Sequence, residues 1–342
     1  MKRSIHSPTS RSKNISSSSE RSKHFHTRQN HLISIIFYLV FIAIISFILS
    51  YFMLNLYVGG DRLVYSNLYN ALSMADFSQI GDLQNEFTGS GEPLYGLIIW
   101  FLSDKLENIT AISLLNALFC CLLFIYLRQN SAPMLTYFFI YTNFYFFVLL
   151  FSAERLKFSV IFFLLFLITS SRWRILFLAA APAAHFQSFI LYISMAAPFF
   201  FRKAPKNYLW RNLWLKIGAS FALIISLVVA YIYKGENISQ KLSIYSSYDF
   251  SDTINLLLLI FISIFTFDKK LEIISSLLVL MLFAYVLGDS RVNMIGFLSY
   301  FYYSNKYKVT FKLPYIILSI YFSYKSIGFI QNIIITGDGF IK

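Results

Sequence analysis

Charge is scarce in this sequence. Only 13% of its 342 residues are Asp, Glu, Lys or Arg, about half the share of a soluble domain. A solvated globular surface of ordinary size is therefore excluded. Cysteine is nearly absent: Cys120 and Cys121 stand side by side in an apolar run, so they build neither a disulfide framework nor a zinc site. No Gly-rich phosphate loop and no nucleotide-sugar fingerprint occurs. Asp76, Asp82 and Glu86 come closest to a ligand set but lack calcium or zinc spacing, so no metal and no cofactor is expected. Acids are outnumbered, 16 against 29 Lys and Arg, for a net charge of +13. The basic residues are scattered between apolar segments rather than gathered on one face, which argues against nucleic acid.

Apolar residues are abundant, at 57%, with Phe leading the aromatics. They form runs at 32–54, 94–103, 109–127, 133–152, 156–171, 175–200, 213–233, 253–267, 271–287, 292–304 and 313–331. Repeated runs of this length define an all-α, polytopic integral membrane protein with about nine full transmembrane helices. Two runs have the wrong length. A ten-residue helix reaches only ~15 Å, half the hydrocarbon core, so 94–103 is expected to be a short interfacial helix. The run 175–200 is long for one span and short for two, and it holds Pro182, which removes a backbone donor. It is expected to be a broken, re-entrant helix pair with His185 at the bend, an arrangement that needs protein or water over the irregular backbone.

Residues 1–30 form a basic, Ser-rich stretch with seven Lys or Arg and one acid, Glu20. It lacks the apolar surface to offset ordering entropy, so it reads as a disordered cytoplasmic tail ahead of a transmembrane domain over 31–342. The run 32–54 has no small-residue cleavage site and reads as an uncleaved first span. His6, His24, His26 and His31 lie in or beside the tail, where incidental solvated histidines are commoner than metal ligands.

Charge tests this topology. With the N-terminus inside, the inner loops carry Arg128, Arg172, Arg174, Arg202, Lys203, Lys206, Arg211, Lys269, Lys270, Lys306, Lys308 and Lys312 against one acid, Asp268. The outer segments between runs carry seven basic residues and twelve acids. The positive-inside rule is satisfied at every turn, and the C-terminus falls outside.

Candidate functional residues therefore lie on the outer face. The outer loop 55–93 holds Asp61, Arg62 and Glu92, and the loop 234–252 holds Tyr245 and Tyr248. Short turns add Glu154, Arg155 and Lys157, then Asp289 and Arg291, with His185 approaching from the bend. Ionisable groups at the hydrocarbon boundary are costly unless paired or hydrated, which makes them functional candidates. The plain alternatives are an Asp61–Arg62 turn pair, Glu154–Arg155 and Asp289–Arg291 interfacial pairs, helix capping by Glu92 and a hydrogen-bonded core His185.

The segments GGDRLVYSNLY at 59–69, GEPLYGLIIWFL at 91–102, ERLKFSV at 154–160, AAHFQSFILY at 183–192, KLSIYSSY at 241–248 and GDSRVNMIGF at 288–297 follow one another in a telling order. Together they resemble the EpsG-type polysaccharide polymerases, a branch of the Wzy-like O-antigen and capsule polymerases, over about 32–330. The resemblance implies a multi-pass enzyme of the bacterial inner membrane. It would join oligosaccharide repeat units linked to undecaprenyl pyrophosphate at the periplasmic face, alongside a flippase and a chain-length regulator. Such chemistry needs a general base for the acceptor hydroxyl and cations for the departing pyrophosphate, for which the planar fork of Arg is suited. Asp61, in its Gly-flanked turn, is the first candidate base, then Glu92 and His185. Arg155 and Arg291 would clamp the pyrophosphate, supported by Arg62 and Lys157, and Tyr245 and Tyr248 would stack on sugar. An O-antigen ligase or a lipid-linked oligosaccharide flippase or transporter is the alternative. A transporter should spread charge on both sides of a central cavity.

Overall fold

The computed structural model describes residues 13–201, 253–287 and 290–340. Every regular element among them is helical. Tyr245, Tyr248, Asp289, the loop 234–252 and the run 213–233 lie outside the described residues.

Helix α1 (Lys13–Leu56) extends back into the basic stretch that the sequence reading leaves without fixed structure; its apolar part is Ile33–Leu56. Ile33, Phe37, Phe41, Ile48 and Phe52 of that part stay more than half exposed, whereas Ser50, Met53 and Leu54 are buried against the neighbouring helix. An apolar helix with its outer face bare suits lipid rather than water. The segment 55–93, expected as a loop, is largely helical: α2 (Gly60–Leu72), a short 3₁₀ turn at Phe77–Gln79, and α3 (Ile80–Thr88). In α2 the buried residues Tyr65, Leu68, Tyr69 and Leu72 recur at helical spacing, which turns one face into the bundle. The run 94–103 is indeed one short helix, α4 (Pro93–Ser103).

Helix α5 (Asn108–Gln129) is the hub, packed between α1 and α8 (Glu154–Ile168) and buried along Ala111, Ile112, Asn116, Phe119, Cys120 and Leu127. The run 133–152, read as one span, is two helices, α6 (Met134–Tyr141) and α7 (Phe144–Phe151), bent by 54°. Thr142 and Asn143 cause the break. Asn143 accepts from the Tyr145 amide at 2.9 Å and so caps α7 from its N-terminus. The run 175–200 divides as expected into α9 (Arg174–Ala184) and α10 (Ser188–Phe201), with His185 ending α9 in extended backbone. Pro182 lies inside α9, one turn before the break; the Leu178 carbonyl it deprives of a donor takes the Tyr192 hydroxyl at 2.9 Å instead. That bond ties the two half-helices together.

The remaining helices are α11 (Ile254–Thr266), α12 (Lys270–Leu287), α13 (Ser290–Lys306) and α14 (Leu313–Thr336). Among the described residues, three helices can cross a membrane by length and composition, Ile33–Leu56, Asn108–Gln129 and Leu313–Thr336, or four if the bent α6–α7 pair counts as one span.

The bundle has two chemically distinct ends. At one, Lys312 pairs with Asp268 at 3.2 Å, and Lys306 and Tyr307 meet Glu272. At the other, the C-terminal ends of α1 and α14 meet, joined by the Val58 and Gly59 amides donating to the Gly337 carbonyl at 3.0 and 2.8 Å. The candidate site lies at this second end.

Candidate active site

Glu92 precedes α4 with extended backbone, in the N-cap position, followed by Pro93. Its side chain makes no capping bond. The carboxylate turns instead into the bundle, where Arg155 Nη1 lies 3.0 Å from Oε2 and His185 Nδ1 lies 3.1 Å from Oε1. Gln84 Nε2 donates to Oε2 at 3.1 Å and the Ser90 hydroxyl at 2.6 Å. Arg155 also contacts Ser90 Oγ, and its Nε lies 3.4 Å from the Tyr65 hydroxyl. Glu92, Arg155 and His185 are all more than nine-tenths buried.

Local packing explains this convergence. A methyl group at Gly96 would collide with Gln84 Oε1 and Ile80, so the glycine lets α3 approach α4 and brings Gln84 to the carboxylate. Gly89 ends α3 in the left-handed conformation (φ 62°) and turns the chain so that Ser90 and Glu92 face Arg155.

Burial alone would raise the Glu92 carboxyl. The hydrogen bond from His185, the Arg155 charge and the Ser90 hydroxyl outweigh it and hold the group well below the usual carboxylate range. With four donor groups on its two oxygens, Glu92 has little basicity left for a substrate. It orients Arg155 and His185. Burial, with the charges of Arg155 and Arg291, pushes His185 below its ordinary value against the opposing hydrogen bond and charge of Glu92. Nδ1 faces a Glu92 oxygen, and Nε2 lies 3.1 Å from the Gln187 amide oxygen Oε1. His185 is thus held between Glu92 and Gln187 with its ring orientation fixed. Arg155 Nη2 makes no hydrogen bond to any described residue.

Asp61 pairs with Arg291 at 3.1 Å, with side chains 44% and 26% exposed. The neighbouring Arg62 points elsewhere. It is 4% exposed and donates to Asn108 Oδ1 at 2.6 Å, and its Nη1 lies 3.7 Å from Glu154 Oε2, beyond hydrogen-bond reach but within ion-pair distance. Glu154 in turn accepts from the Tyr95 hydroxyl at 2.8 Å. Neither adjacent pair, Asp61–Arg62 or Glu154–Arg155, is the pair that forms. Residues one apart on a helix project about 100° from each other and do not face.

Lys157, expected to support substrate, is completely buried. Its ammonium donates to Asn116 Oδ1 at 2.5 Å and the Leu150 carbonyl at 3.2 Å, and Asn116 donates to Ser50 Oγ at 2.6 Å. This network locks α1, α5, α7 and α8 together. It is structural.

One contributor escaped the sequence reading. The turn Gly337–Asp338–Gly339 closes over Gly59 and Gly60. A Cβ on Gly60, whose φ is +54°, would lie 3.0 Å from Asp338 Oδ2, and one on Gly59 would lie 3.1 Å from Asp338 Cβ. The two glycines preceding Asp61 therefore make room for the C-terminal turn. The signal was the second Gly-Asp pair, GDG at 337–339, on the same side in the expected topology.

The Asp61–Arg291 pair and the Glu92–Arg155–His185 cluster thus lie at one end of the bundle, near enough for the Arg291 charge to act on His185. Among the described residues no three or more His, Cys, Asp or Glu converge on a metal-sized site. No family model matches the chain, and neither the curated proteins nor the solved structures hold a significant match to it.

Proposed function

We propose that this chain is a polysaccharide polymerase of the bacterial inner membrane, joining undecaprenyl-pyrophosphate-linked oligosaccharide repeat units at the periplasmic face. The reading rests on the resemblance of the six segments above and on one structural observation: Arg155, His185 and Glu92 meet at the same end as Arg291 and Asp61. In this reading that end is periplasmic and the basic Lys306–Lys312 end is cytoplasmic. The shorter helices combine with the three long ones to make about nine crossings.

Arg155 Nη2 and Arg291 are the cationic groups for the departing pyrophosphate. His185, held by Glu92, accepts the proton of the acceptor hydroxyl, a contribution of about 10²–10⁴ in rate. Asp61 holds Arg291. In this reading the short helices α8 and α9, about 22 and 16 Å long, leave the polar cluster below the membrane surface, where a lipid-borne substrate would enter sideways. The concentration of buried ions at one end, rather than on both sides of a cavity, favours an enzyme over a transporter.

Deleting the gene and resolving surface polysaccharide on a gel tests the reading. A single capping repeat in place of a ladder supports a polymerase. Complete loss of repeats points to a ligase or flippase, and an unchanged ladder removes the proposal.

A further inference from the structure

Lys325 lies in the middle of α14, twelve residues after Leu313 and eleven before Thr336. At 1.5 Å per residue its Cα is about 17 Å from either end of a helix that is long and apolar enough to cross a membrane. A lysine stem reaches ~6 Å, so the ammonium cannot snorkel to either interface. It does not point to one. Nζ sits 4.5 Å from the centroid of the Phe144 ring, level with the α6–α7 break, where the Thr142 and Ser323 hydroxyls lie 2.8 Å apart. Lys325 makes no hydrogen bond or ion pair to any described residue.

A ring face softens the burial of an ammonium but does not neutralise it. No described Asp or Glu pairs with it, and none of the sixteen acids stands in the middle of an apolar run of the sequence. The same fact rules out a second copy as the source of the missing charge. The surrounding face of α14 is built for contact. Tyr321 and Tyr324 are 44% and 74% exposed, their hydroxyls have little to bond in lipid, and a Cβ on Gly328 would meet nothing within 4 Å, which leaves room for a close neighbour.

We propose that this face of α14 docks a transmembrane helix of another protein that carries an Asp or Glu at mid-depth, paired with Lys325 across the interface. The proposal needs only that α14 spans the membrane and is independent of the enzymatic reading.

The test reconstitutes the full chain in lipid vesicles with synthetic Leu-rich transmembrane peptides bearing a single central Glu, Gln or Lys, with association read by energy transfer from a label on the chain. The Glu peptide should associate about tenfold more tightly than the Gln peptide. Lys325→Met should abolish that preference, and Lys325→Glu should transfer it to the Lys peptide. Equal binding of the Glu and Gln peptides to the unaltered protein, a comparison that needs no variant, overturns the proposal. So does a photo-crosslink from position 324 that runs into 213–233 of the same chain, because the face would then be covered from within.

Discussion

Arg155 Nη1 lies 3.0 Å from Glu92 Oε2 across 63 residues of sequence, and both side chains are more than nine-tenths buried. Removing one partner of such a pair leaves a buried charge uncompensated, at a cost of about 3–5 kcal/mol. Glu92→Ala and Arg155→Ala should therefore both lower the thermal midpoint in detergent. Arg155→Lys, which keeps the charge but loses the fork, should fold and still fail to polymerise. A normal polysaccharide ladder from Arg155→Lys would detach the guanidinium geometry from function.

Acid should weaken the fold through the same cluster. Glu92 is depressed below its ordinary value of 4.5, so the stability it contributes is complete above that pH and is lost as pH falls through the depressed value. His185, depressed below 6.5, acts in the same direction: the unfolded chain binds its proton first, so stability declines once pH drops below 6.5. Thermal midpoints measured from neutral pH downwards should fall in both windows. Glu92→Gln should flatten the lower one and His185→Gln the upper; midpoints that rise on acidification would contradict the assignment.

Gly60→Ala should destabilise twice, by placing a side chain at φ +54° and by pressing a methyl group on Asp338. The conformational part is worth about 1–2 kcal/mol. Adding Asp338→Ala should return the steric part, so the double variant should melt above the sum of the two single losses. Strict additivity in that cycle would show that the C-terminal turn does not bear on Gly60.

Lys157→Ala strands the Asn116 and Leu150 oxygens inside the bundle, and each unpaired buried acceptor costs about 1–3 kcal/mol. The variant should express poorly or melt early, while whatever protein folds binds the lipid diphosphate as the parent does. Full stability combined with lost binding would return Lys157 to the substrate.

The sequence carried the two unusual helices and the end at which the charges gather, because run length and Pro182 act locally and loop charge reads out directly. It did not carry the partners. Glu92 reaches residues 63 and 93 positions away, and adjacency suggested Asp61–Arg62 and Glu154–Arg155, which helix geometry keeps apart. The α6–α7 break was hidden because Thr142 and Asn143 hardly dilute a run of aromatic and aliphatic residues, although Asn143 is the cap that starts α7. Lys157 was misplaced for a related reason. Three residues into α8 it sits near the charged turn, but its helical face points at α5.

The central claim is that Arg155 and Arg291 together grip a lipid-borne diphosphate. Binding of undecaprenyl pyrophosphate to the purified protein in nanodiscs, measured for the parent, Arg155→Lys and Arg291→Lys, tests it most directly. The account predicts saturable binding that weakens about tenfold or more in each variant; absent binding, or equal affinity in all three proteins, would contradict it.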